Sequence, residues 1–62
     1  MEEVVIQAKR DLAVSRMAVV CGMSLSSVSV LTREMSWEEI VEVTTRVKNG
    51  VAKVVNMKIE DC

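Results

Sequence analysis

Ala18 and Gly22, four residues apart and followed directly by Met23-Ser24, constrain this chain more than any other feature. Two short helices that cross at a steep angle need a small residue where they touch, and Ala18 supplies it. The chain must then leave the first helix sharply, through a left-handed conformation that a residue without a β-carbon adopts most readily. Gly22 stands at that place, and Ser24 follows as an N-cap whose hydroxyl can accept from a backbone N–H two or three residues later. A second helix is therefore expected from Leu25, with Met17, Cys21, Met23, Val28 and Leu31 on the inner face of the corner.

The segment Ala18-x-x-x-Gly22-Met23-Ser24-x-x-Ser27-Val28-Ser29 resembles the helix-turn-helix of phage and bacterial repressors, Cro-like and lac-repressor-like, and of transposase DNA-binding heads. The resemblance covers residues 14–33, about a third of the chain. It implies that the second helix docks in the major groove of double-stranded DNA, with its start and outward face turned to the bases. The residues so placed are Ser24, Leu25, Ser26, Ser29, Val30 and Arg33. Serine hydroxyls donate or accept at base edges, Leu25 and Val30 can touch thymine methyls, and Arg33 reaches guanine or phosphate. The relatives usually place Gln, Asn or Arg at these positions, and this sequence departs from that habit.

With 62 residues, the chain forms one domain and buries only ~60% of its unfolded surface. It has no proline and one aromatic, Trp37, so its core is built from Val, Leu, Ile, Ala and five Met. Such a core leaves a thin margin, and a homodimer is expected, which would also align two reading helices with two half-sites. No apolar run approaches the ~20 residues that cross a bilayer, and the opening Glu2-Glu3 argues against a secretory signal. These features point to a cytoplasmic protein with no membrane partner.

Formal net charge is −1, but its distribution is uneven. Residues 9–33 hold Lys9, Arg10, Arg16 and Arg33 against Asp11 alone, whereas the flanking stretches are net acidic. Lys9, Arg10 and Arg16 are thus expected to contact phosphate. The same charges would also serve as the solvated faces of amphipathic helices.

Other chemistry finds little support. There is no histidine, so the usual general base and the Ser-His and Cys-His pairs are missing, and the chain is not expected to be an enzyme. Cys21 and Cys62 form neither a disulfide framework nor a zinc set. Cys21 reads as a small buried hydrophobe. Neither a cofactor, a metal nor a small-molecule ligand is indicated.

Along the chain, Val4, Val5, Ala8 and Leu12 recur at helical spacing over Glu2 to Leu12, a helix expected to cover the motif from behind. Ser15 is read as the cap of a further short helix through Cys21. Ser36-Trp37-Glu38-Glu39 is a capping box, Arg46 and Lys48 suit a last turn, and Asn49-Gly50 can close a helix. Asn49-Gly50 is also a hairpin signal, which would make residues 40–48 and 51–59 a wing. Start, stop and dipole signals favour the helix. Val51 to Ile59 is too apolar to float free and is expected to join a dimer contact, as helix or strand.

The expectation is a single mainly α domain over residues 1–62. It is a helix-turn-helix bundle of three to four helices, with residues 51–62 as a β-hairpin wing or dimerisation element. The function expected is DNA binding in transcription regulation or in a phage or mobile element. A helical protein-interaction module, an adaptor or anti-regulator without DNA binding, is the alternative.

Overall fold

The computed structural model describes residues 2–62. They form three helices and a two-stranded antiparallel sheet: α1 (Glu2–Cys21), α2 (Leu25–Leu31), α3 (Trp37–Lys48), β1 (Ala52–Val55) and β2 (Lys58–Asp61). The fold is mainly α with a C-terminal hairpin, as the sequence leads one to expect.

The first two helices read from the sequence are one. Ser15 does not cap a second helix; its hydroxyl donates to the Asp11 carbonyl at 3.0 Å. A serine bonded back to the preceding turn is accommodated inside a helix, so nothing at Ala13-Val14-Ser15 interrupts α1. The result is a twenty-residue rod, roughly 30 Å long at 1.5 Å per residue, along which the other elements are arranged.

Gly22 ends that rod. It takes φ +64°, and Met23 N–H donates to the Ala18 carbonyl at 2.9 Å while Gly22 N–H reaches the Val19 carbonyl at 3.4 Å. These two bonds are the paired closures of a helix that ends in a left-handed residue, and they satisfy carbonyls the helix would leave orphaned. The chain resumes as α2 after three residues, turned by 112° from α1. Ser24 caps it as expected, its Oγ accepting from Ser27 N–H at 3.2 Å.

Helix α3 forms over the expected residues. Ser36 Oγ accepts from Glu39 N–H, and the Glu39 carboxylate accepts from Ser36 N–H, each at 3.3 Å. Asn49-Gly50 closes the helix rather than turning a hairpin. Gly50 takes φ +75°, and Val51 N–H donates to the Arg46 carbonyl at 2.9 Å. The strands of a 40–48/51–59 wing therefore do not exist, since the first of them is helix.

The hairpin lies further on. Its turn is Asn56-Met57, both with positive φ, 51° and 61°, the pair of signs that a type I′ turn requires. The register sets Val54 opposite Ile59 and Ala52 opposite Asp61 on one face, with Lys53 opposite Glu60 on the other. Ala52 is buried, and Val54 and Ile59 pack on the helical core. Asp61 pairs with Arg46 of α3 and fastens the second strand to that helix.

The core is small: Ala13, Met17, Ala18, Val28 and Ile40, with Val14, Cys21, Met23, Leu31, Met35 and Val43 packed around them. Thr32 and Thr44 are buried but satisfied, donating to the Val28 and Ile40 carbonyls at 2.8 and 2.7 Å. The N-terminal half of α1 behaves otherwise than its spacing suggests. Val4, Val5, Ala8 and Leu12 do not cover the corner; all four are exposed. The core draws on Ala13 and Met17, on the opposite side of the rod.

Candidate nucleic-acid interface

Three requirements define a helix that can enter a groove: it must project, its outer face must be free, and that face must not carry acids. Helix α2 projects because Gly22 and Ser24 turn it away from α1. Its inner face is fixed by Val28 and Thr32, both fully buried. At 100° per residue, Ser26 and Val30 then fall together on the side away from those two, and both are exposed; Arg33, also exposed, follows two residues beyond the end of the helix. Ser29 is exposed at the edge of this face.

Helix α3 fails the third requirement. Its exposed positions include Glu38, Glu39 and Glu42, which would meet phosphates with like charge. The same residues that start α3 well, by favouring its N-terminal dipole, unfit it for a groove.

The expected contact residues do not all come together. Ser24 is engaged in the cap, and its Oγ also donates to Ser27 Oγ at 2.9 Å and lies 3.3 Å from Ser26 Oγ. Leu25 and Ser29 line a cleft between α2 and α1, shared with Gln7 and Asp11. Leu25 is as exposed as Val30, 57% each, and with Ser29 it borders the α1 side of the helix.

The basic residues of α1 are dispersed. Arg10, expected at phosphate, is instead a structural residue. Its guanidinium donates to the carbonyls of Met35, Thr32 and Arg33, the last two at 2.6 and 3.3 Å. These carbonyls follow α2 directly, and a fork of five donors is suited to collect them. Lys9 lies with its Nζ 4.7 Å from the centroid of the Trp37 ring, a cation–π contact worth ~0.5–1 kcal/mol at an exposed site. Arg16 lines a shallow cleft between α1 and α3 with Ala13, Val41, Thr44 and Thr45. Lys9 and Arg16 thus belong to the α3 side of α1, and among the described residues Arg33 is the cation that stands next to the outer face of α2.

Two cations escape sequence reading. Lys53 and Lys58 are exposed on the hairpin. The alternation that exposes them becomes visible only once the turn is placed at Asn56-Met57, and Met gives no signal for a positive φ. Cys21 is half-buried among core residues, and burial pushes its thiol above the ordinary range, favouring the protonated form. Among the described residues no group of His, Cys, Asp and Glu is placed to hold a metal ion, and no single helix is long and apolar enough to cross a membrane.

No family model, curated protein or solved structure matches this chain.

Proposed function

We propose that this protein binds double-stranded DNA by docking α2 in the major groove, as a regulator of transcription or a DNA-binding protein of a phage or mobile element. The observation that carries this reading is the corner itself. Gly22 at φ +64° and the Ser24 cap turn α2 by 112° from α1, within the range of paired DNA-reading helices. The turn leaves Ser26, Ser29, Val30 and Arg33 outward.

With one cation beside that face, affinity is modest and comes from shape and hydroxyl contacts as much as from charge. The reader is a homodimer, which doubles the contact set.

Anisotropy of labelled random duplex against salt tests the proposal. Affinity falls as salt rises, and Arg33→Ala lowers the log–log slope by about 1, the loss of one phosphate contact. Absence of binding at low salt would contradict it.

The exposed apolar residues of α1 support a second reading, a protein-interaction module of cytoplasmic location without DNA. In that case duplex DNA is ignored at every salt concentration.

A further inference from the structure

We infer that a second copy of this chain covers the solvent side of α1, the two α1 helices lying antiparallel. Val5, Leu12 and Val19 stand seven residues apart and are 53%, 66% and 82% exposed. Ala8 is exposed between the first two. A seven-residue step returns to nearly the same side of a helix, so these residues form one apolar stripe. It runs along the side of α1 remote from Met17 and Val14, where the core lies. At its middle the stripe borders α3, where Leu12 shares a cleft with Arg16, Trp37 and Val41, yet Leu12 stays two-thirds exposed.

Charge selects the occupant. Glu2, Lys9 and Arg16 share one flank of the stripe, again at seven-residue steps, with the acid at one end and Arg16 at the other. Two helices paired antiparallel about a twofold axis bring the same flank of each together, end against end. With Leu12 of one copy on Val5 of the other, Glu2 of each copy comes within one residue of Arg16 of its mate, so two ion pairs close the two ends. A parallel pair would set this flank against the opposite one, where Val4, Asp11 and Ser15 stand, so Glu2 would meet no cation. Lys9 falls near the axis, where two ammonium groups would repel, but its Nζ is held over Trp37 of its own chain, on the α3 side.

This surface differs from the C-terminal segment that composition suggests for a dimer contact. Val54 and Ile59 are taken up by the core of their own chain. The pairing also leaves the outer face of α2 free, and it stands whether or not the DNA reading does.

Sedimentation equilibrium of the full chain at high micromolar concentration tests it, with no DNA present. The unaltered chain is expected at twice its monomer mass. Leu12→Glu places a charge on a side chain already in water, so helicity by circular dichroism is kept while the mass falls to one chain. Arg16→Glu weakens the dimer, and Glu2→Arg combined with Arg16→Glu restores it. A monomer for the unaltered chain overturns the inference, as does a dimer that survives Leu12→Glu. Failure of the double exchange to restore pairing overturns the antiparallel arrangement.

Discussion

Arg10, in the middle of α1, donates its guanidinium to the Thr32 carbonyl at 2.6 Å, 22 residues further along the chain. This bond ties the end of the shortest helix to the longest. A seven-residue helix is not stable alone, so the position of α2 depends on what holds its two ends: Ser24 at the start and Arg10 at the finish. Arg10→Ala is expected to lower stability by about 1.5–3 kcal/mol, the range for hydrogen bonds to a charged group. Arg10→Lys recovers only part, because an ammonium cannot span several carbonyls. Urea unfolding checks this as a shift in midpoint at constant slope.

Gly22→Ala isolates the backbone term at the corner. Nothing lies within 4 Å of the added β-carbon, so no clash contributes and the effect is conformational. The expected loss is about 1–2 kcal/mol, that of an L-residue in the left-handed region. Gly22→Asn should lose less, since Asn tolerates that region better. Thermal unfolding of the two variants gives the comparison.

Ser24 separates the cap from the contact. Ser24→Ala removes the oxygen that accepts from Ser27 N–H and should lose about 1 kcal/mol. Ser24→Asp keeps an acceptor and suits the helix dipole, so it should fold as well as the unaltered chain. In the proposed complex it also sets a carboxylate beside the phosphates, so its affinity for duplex DNA should fall while its melting temperature holds.

The features readable from sequence are those whose cause is local. Gly22, Ser24, the Ser36/Glu39 capping box and the Gly50 stop each act through hydrogen bonds spanning a few residues, and each stands where the local pattern puts it. Ser15 misleads for the same reason: a hydroxyl before an apolar run looks like a cap, yet inside α1 it bonds back to Asp11. Arg10 could not be assigned from local pattern, because its partners lie more than twenty residues away. Val5 and Leu12 show the limit of periodicity. A repeat of apolar residues marks a helix face but does not say whether the chain itself has anything to put against it.

The hairpin turn makes a prediction in the opposite direction. Met57 holds φ 61°, a conformation that bulky residues avoid, and its side chain is exposed, so little packing is lost with it. Met57→Gly creates the Asn-Gly pair that type I′ turns prefer and should stabilise the protein by about 1 kcal/mol. Calorimetric melting would show it as a rise in melting temperature, and a fall would mean that Met57 makes contacts beyond the turn.

The central claim is that α2, not α3 or the hairpin, meets DNA. Amide chemical-shift mapping during titration with a duplex tests it most directly. Shifts concentrated from Ser24 to Arg33, with Glu38 and Glu42 unmoved, are the predicted result; shifts centred on α3, or none at low salt, would contradict it.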